Sequence, residues 1–230
     1  MNQKLDKLVI FGTGKMAEMA YKYMMKDKAF DVVAFTVDKK MMKEETFLGL
    51  PVVAFEDVEK EYPPDSFKMF IGIGYKFMNK VRTEKYHDAK KKGYTMATYI
   101  ASGSQIWDDL EIGENCFILE NQVIQPNVKI GNNVFLWSGN HLGHDVVIED
   151  NVWISSHVVL SGNVYVGERT FIGINSTIRD NVKIGKNCLI GAGSIILKDT
   201  KDNEVYMEEQ TKRYPLTTDK FIKLFEISRR

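Results

Sequence analysis

Three of the four histidines, His141, His144 and His157, fall close together in the chain, and Asp145 stands beside the second. A neutral imidazole takes protons readily near neutral pH, and a neighbouring carboxylate can hold its tautomer and favour its charged form. Such a pair serves acyl transfer from a thioester if a further group stabilises the tetrahedral oxyanion. The fourth histidine, His87, lies in a helically patterned N-terminal segment, where a solvated or packing role is expected. What the pair can do depends on what the fold stacks beside it.

The positioning element is a repeat. From Ile106 to Ile196 an aliphatic residue returns at every sixth position without a slip, as in Ile106, Ile112, Ile118, Ile124, Ile130 and Leu136. A period of six fits no α-helix, whose face repeats at about 3.6 residues, but it is even and keeps one side chain facing one way along strands. Four places after each aliphatic residue the side chain is again small or β-branched, as at Val128, Val134, Val146, Thr170 and Ser176. Both positions point inward only if three hexads close a triangular coil of eighteen residues, which predicts a parallel β-helix.

Residues eighteen apart are then neighbours on successive coils, about 4.8 Å from one another. His144 falls two places past Leu142, at a corner, and Gly162 lies one coil on. A glycine N–H beside the imidazole, with no side chain intervening, makes a base and an oxyanion donor in one small site. His157 shares its column with Gly139 and Asn175, at a different corner roughly 15 Å away. Within one chain it does not meet His144; across a groove between subunits it is a candidate contact to coenzyme or substrate. His141 points outward from a strand and is a candidate for positioning the substrate.

One outward column reads Phe117, Phe135, Trp153, Phe171 and Leu189. So large an apolar ridge needs a cover, and a subunit interface is expected, with the C-terminal tail helix as the other possibility. Cys116 and Cys188 take inward positions four coils apart and are expected to be small core fillers in a reducing compartment.

The chain carries 31 basic and 31 acidic residues and no basic block, which excludes the electrostatic footprint of a nucleic-acid binder. The apolar run before Gly12 is too short for a signal peptide or membrane span, so a cytoplasmic protein is expected. Residues 1–103 read as alternating strands and helices. Leu8–Phe11 is a strand entering the turn Gly12-Thr13-Gly14, a second strand ends at Asp38, and a third runs into Gly72-Ile73-Gly74. Glycines at strand ends let backbone N–H groups approach phosphates at a helix N-terminus, and an acidic residue after the second strand suits a ribose or base. This is about half of a Rossmann domain, too little for a nicotinamide dehydrogenase. The expected organisation is therefore α/β over 1–103, an all-β helix over 104–198, and a tail over 199–230. The tail holds one short helix, starting at Thr217 or Thr218, expected to cover the last coil or part of a neighbouring subunit; the terminal arginines suit its C-terminus.

The hexads resemble the left-handed β-helix of the hexapeptide-repeat acyltransferases. The run Gly139-Asn140-His141-Leu142-Gly143-His144-Asp145, followed by Gly162-Asn163-Val164 and Gly173-Ile174-Asn175-Ser176, is similar to the bacterial nucleotide-amino-sugar acyltransferases related to the sialic-acid O-acetyltransferases. The resemblance covers all but the tail. It implies an N-acyltransferase of surface polysaccharide (lipopolysaccharide) biosynthesis that moves an acyl group, most simply from acetyl-CoA, to the amino group of a nucleotide-linked amino-deoxy sugar, without a metal. It makes His144 the base with Asp145 beside it and Gly162 the donor to the thioester carbonyl. It gives Gly12, Gly14, Asp38, Gly72 and Gly74 to the nucleotide sugar; Gly173 and Asn175 of the matching run join His141 and His157 as candidate contacts to substrate or coenzyme. It also implies a homotrimer with coenzyme A between adjacent β-helices. Where many relatives carry a glutamate before the base, this chain has Gly143. Three alternatives remain at this stage: a sugar O-acetyltransferase, a trimeric zinc enzyme similar to the γ-type carbonic anhydrases, and a scaffold without activity.

Overall fold

The structure is a computed structural model that describes residues 5–227. The N-terminal domain runs β1 (Lys7–Phe11), α1 (Lys15–Lys26), β2 (Asp31–Val37), β3 (Thr46–Phe47), β4 (Leu50–Ala54), α2 (Val58–Glu61), β5 (Lys68–Ile71) and α3 (Lys80–Lys91). The sheet order is β3-β4-β2-β1-β5. β1 pairs in parallel with β2 and β5, and β2 with β4, while β3 and β4 form an antiparallel hairpin. The central strand β1 is buried on both faces, which is why Leu8, Val9, Ile10 and Phe11 form an unbroken apolar run rather than an alternation. The chain grows outward from β1 through β2 to β4, then crosses back to place β5 on the other side of β1. That reversal opens the crevice at the carboxyl ends of β1 and β5, where Gly12 and Gly72 stand.

From Tyr99 onward the chain winds into a left-handed β-helix of three parallel sheets. Its pairings step by eighteen residues: Phe117 to Phe135 to Trp153, Val123 to His141 to Val159, and Lys129 to Val147 to Tyr165. Both sets of inward positions are buried, among them Ile118, Leu136 and Ile154 of the first and Val128, Val134 and Thr170 of the second. Coils turn at residues in the left-handed region, mostly asparagine, such as Asn115, Asn133, Asn163 and Asn181. Asparagine tolerates that region because its short amide bonds locally. One corner column goes further: Asn115 Nδ2 donates to Asn133 Oδ1 at 2.7 Å and Asn133 Nδ2 to Asn151 Oδ1 at 2.8 Å, a buried ladder. Cys116 and Cys188 are free and buried.

A subunit interface is expected over the aromatic column, but the chain itself covers Phe117, Phe135 and Trp153 and leaves Phe171 and Leu189 partly exposed. Phe117, Phe135 and Trp153 are buried against the N-terminal domain. The ring of Phe70 on β5 lies 5.7 Å from Phe135 and 5.6 Å from Phe117, and Tyr75 lies 5.0 Å from Trp153 and 4.9 Å from Phe171. Arg82 of α3 places its guanidinium 4.2 Å from the Phe135 centroid and donates to the carbonyls of Asn133, Asn151 and Val152 and to Asn133 Oδ1. Burial pushes its pKa down, to about 9, and among the described residues no carboxylate pairs with it. Asn115 Oδ1 accepts the N–H of Ile71 at 2.7 Å, a further tie between sheet and coil. The ridge needed a cover, and the half-Rossmann domain supplies it: Leu8, Ile10, Phe35 and Phe70 share one buried cluster with Phe117, Phe135 and Trp153.

In the tail helix α4 (Thr218–Ile227), Ile222 and Leu224 are exposed. The last coil is prolonged by Val205–Tyr206, which pairs with Leu189–Ile190 and satisfies that edge with backbone. The terminal arginines, Arg229 and Arg230, lie outside the described residues.

Candidate active site

His144 and Asp145 sit where the strand His141–Leu142 turns into Val147–Ile148. Three hydrogen bonds hold the corner. His144 N–H donates to Gln125 Oε1 at 2.9 Å, Asp145 N–H to the Pro126 carbonyl at 3.0 Å, and the His144 carbonyl accepts Asn163 N–H at 2.9 Å. Asp145 occupies the left-handed region, φ 59°, where aspartate is tolerated and most residues are not. From there its Oδ2 reaches His144 Nδ1 at 2.7 Å, with both side chains open to solvent. A carboxylate at Nδ1 favours the tautomer that leaves Nε2 unprotonated.

Nε2 faces Gly162. A β-carbon built on Gly162 would stand 2.5 Å from it, so the imidazole occupies the space a side chain would take. Among the described residues the Gly162 N–H donates to no other group. The coil interval is already closed here, since a β-carbon on buried Gly143 would stand 2.6 Å from that same nitrogen. A base with a free acceptor nitrogen and an uncommitted backbone donor thus share one corner.

His157 stands at the next corner in a left-handed conformation, φ 58°, its ring over Gly139 as that of His144 is over Gly162. Asn175, one coil on, is exposed, and its N–H donates to the Ser156 carbonyl; Gly173 is buried, a built β-carbon 2.6 Å from Ala192 N. His141 is half-buried on the outer face of the sheet between the two corners. The three histidines do not converge, and among the described residues no group of three or more His, Cys, Asp and Glu could hold a metal ion.

The N-terminal glycines divide into two kinds. Gly12, φ 119°, and Gly72 pack on one another and on α1: a β-carbon at Gly12 would lie 3.0 Å from the Gly72 carbonyl, and one at Gly72 2.9 Å from Ala17 Cα. Gly14, at the N-terminus of α1, and Gly74 leave room for a side chain, and among the described residues neither N–H donates a hydrogen bond within the chain. Asp38 directly follows β2 but is ion-paired to Lys85 of α3 at 2.6 Å. A cavity of about 170 Å³ opens beside this turn, between Thr13, Val37, Thr46 and Phe47. The sequence reading missed Gln125, Lys85 and Arg82. The coil arithmetic that found Gly162 also reaches Gln125, nineteen residues before His144, whereas nothing local marks the two cations of α3.

The glycine turns and His144 lie on different sides of the prism. The N-terminal domain covers the sheet of Phe117, Phe135 and Trp153, while His144 occupies the corner where the other two sheets meet.

Residues 109–144, 127–162 and 163–198 match the bacterial transferase hexapeptide (six repeats), so the β-helix is built of that repeat. No curated protein sequence matches the chain significantly. Among solved structures, the acetyltransferase domain of PglB from Neisseria gonorrhoeae FA1090 is 21% identical, with a TM-score of 0.79 over 91% of this chain and 100% of that one. A perosamine N-acetyltransferase variant from Caulobacter crescentus, bound to CoA and GDP-perosamine, is 22% identical, with a TM-score of 0.79 over 88% and 93%. WeeI from Acinetobacter baumannii AYE is 22% identical, with a TM-score of 0.74 over 87% and 96%. The shared fold extends over both domains.

Proposed function

We propose that the chain is an acyl-CoA-dependent N-acyltransferase, most simply an acetyltransferase, acting on the amino group of a nucleotide-linked amino-deoxy sugar in the building of surface polysaccharide. One observation carries the reading: the His144 imidazole, braced by Asp145 at Nδ1, sits on Gly162 with its other nitrogen beside an uncommitted N–H. His144 takes the proton from the attacking amine, the Gly162 N–H stabilises the thioester oxyanion as it forms, and the thiolate of coenzyme A leaves. The fold likeness to PglB and to the perosamine enzyme, solved with CoA and GDP-perosamine, supports the same substrate class.

The nucleotide sugar is held by the turns of Gly12, Gly14, Gly72 and Gly74. Asp38 contributes through the ion pair that fixes the loop after β2, since its carboxylate is already committed to Lys85. Because these turns and His144 lie on different sides of one prism, the sugar held by one subunit is acylated at the His144 of another. This requires an oligomer, and a homotrimer with coenzyme A between adjacent β-helices meets the requirement. His157, Asn175 and Gly173 then line the coenzyme side of the groove, and His141 the sugar side. Release of thiol from acetyl-CoA with UDP-, dTDP- and GDP-linked amino sugars, against free sialic acid, tests the reading: acylation of the hydroxyl acceptor alone would make the chain an O-acetyltransferase.

A further inference from the structure

The loop that joins β5 to α3 is held in a costly shape. Phe77, Met78 and Asn79 stand at φ 52°, 51° and 62°, three successive residues in the left-handed region. Asparagine tolerates that region, but phenylalanine and methionine are destabilised there, and such strain gathers at ligand clamps. Among the described residues no backbone N–H from Gly74 to Met78 donates a hydrogen bond within the chain. Tyr75 opens this turn, its carbonyl accepting the Asn79 N–H at 3.1 Å. Its ring is 54% exposed yet rests on two others, 5.0 Å from Trp153 and 4.9 Å from Phe171. An aromatic ring fixed in place and still half open to water is a surface for a ligand.

The neighbours of Gly74 say what that ligand is. A β-carbon on Gly74 would stand 3.7 Å from Met16 Cγ, so Gly74 borders the first turn of α1, whose N-terminus at Gly14 is the place for phosphates. Tyr75 is the next residue and lies on the β5 side of that turn. The cavity of Thr13, Val37, Thr46 and Phe47 lies on the opposite side, beside β2. β2 and β5 flank β1 and so stand about 10 Å apart, a separation that suits a nucleoside and a sugar joined by a diphosphate. A nucleoside in the cavity, with its diphosphate across the N-terminus of α1, leaves the sugar at Tyr75.

Resting on the function proposed above, we infer that Tyr75 is the platform for the sugar ring of the nucleotide-linked acceptor, in the same subunit as the nucleotide turns. The C–H face of the deoxy sugar covers the open part of the ring, and the uncommitted N–H groups of the loop bond the phosphate to which the sugar is attached. Trp153 and Phe171 support the ring from the β-helix, so the sugar is fixed relative to both domains. The platform thus presents the amine to the His144 of a neighbouring subunit. Tyr75 touches substrate and sets its position; it takes no proton.

The acceptor for the test is whichever of the UDP-, dTDP- and GDP-linked amino sugars the wild type acylates fastest. Its KM should rise about tenfold in Tyr75→Leu, which keeps an apolar contact with Trp153 but has no flat face, and stay close to wild type in Tyr75→Phe. The matching nucleoside diphosphate lacks the sugar, so it should inhibit Tyr75→Leu and wild type equally. The KM for acetyl-CoA should stay within about twofold, because binding of one substrate alone is weakened. An unchanged acceptor KM in Tyr75→Leu overturns the platform. So does an equal loss for the nucleoside diphosphate, which would make Tyr75 a support of the nucleotide turn, and so does a loss confined to acetyl-CoA, which would give the ring to the coenzyme. All three results leave the proposed function standing. A wild type that transfers no acyl group to any of these acceptors overturns the proposed function, and the platform with it.

Discussion

The imidazole of His144 lies directly over the α-carbon of Gly162, eighteen residues further along the chain, so that a methyl group there would stand 2.5 Å from Nε2. Gly162→Ala should therefore displace the ring without unravelling the coil, because what it meets is the movable end of an exposed side chain. We expect turnover to fall by about two orders of magnitude, the size seen when an oxyanion-site geometry is lost, with the melting temperature nearly unchanged. Gly143→Ala is the contrasting case. Its methyl would meet the backbone nitrogen of Gly162 at 2.6 Å, so thermal denaturation should show clear destabilisation.

His144→Asn keeps a polar group of similar reach but cannot accept the proton. Turnover should drop by roughly 10²- to 10⁴-fold while acetyl-CoA still binds. The acidic limb of the pH profile of kcat/KM for the acceptor should vanish in this variant and persist in His141→Asn. The reverse pattern would move the base to His141. Asp145→Asn, which still tolerates the left-handed backbone, should lower turnover less than loss of the imidazole does.

If the sugar of one subunit meets the His144 of another, two inactive variants should complement. Gly14→Trp obstructs the nucleotide turn at a position where a β-carbon meets nothing within 4 Å, so the fold survives. Co-refolded with His144→Asn, it should regain a fraction of wild-type thiol release. Mixed assemblies as inactive as the separate variants would place the whole reaction within one chain. Gly72→Ala serves as a control, expected to unfold more readily because its methyl would meet Ala17 Cα at 2.9 Å.

Trp153→Glu puts a carboxylate into a contact with Tyr75 and beside the buried Arg82. It should separate the N-terminal domain from the β-helix, with a loss of several kcal/mol visible as an earlier unfolding step and as faster proteolysis between the domains. Arg82→Lys should act in the same direction, since an ammonium cannot reproduce the planar fork that serves three carbonyls.

Acid sensitivity has a local source in Glu149. Burial acts to raise its pKa, but hydrogen bonds from the Tyr165 hydroxyl and the Glu168 N–H, with the charge of Lys186, outweigh it and leave the carboxyl below its usual value. A carboxyl depressed in the folded state stabilises it above the unfolded pKa, and that contribution disappears as pH falls through the folded value. Melting temperatures from about pH 6 to about pH 3 should fall less steeply in Glu149→Gln than in wild type.

The sequence by itself determined the β-helix, because a period of six with two inward positions per turn admits one closure, and every later pairing is then arithmetic. That arithmetic placed Gly162 under His144 and Gly139 under His157, and it told the two corners apart. It also fixed the glycine-ended strands of the N-terminal sheet, whose apolar runs read directly as buried parallel strands. What the sequence left undecided was how the two units meet. The column Phe117, Phe135 and Trp153 announces that something must cover it, yet hydrophobic burial is not directional, and no residue pattern says whether the cover is a neighbour or the same chain. Only the tertiary structure decided this, through contacts between residues far apart in sequence: Phe70 on Phe135, Tyr75 on Trp153, and Arg82 capping carbonyls of a coil more than fifty positions away. Asp38 shows the same limit. Its place after β2 was legible, but the Lys85 that occupies its carboxylate belongs to a helix oriented by the β-helix beneath it, and so by contacts that a linear pattern does not contain.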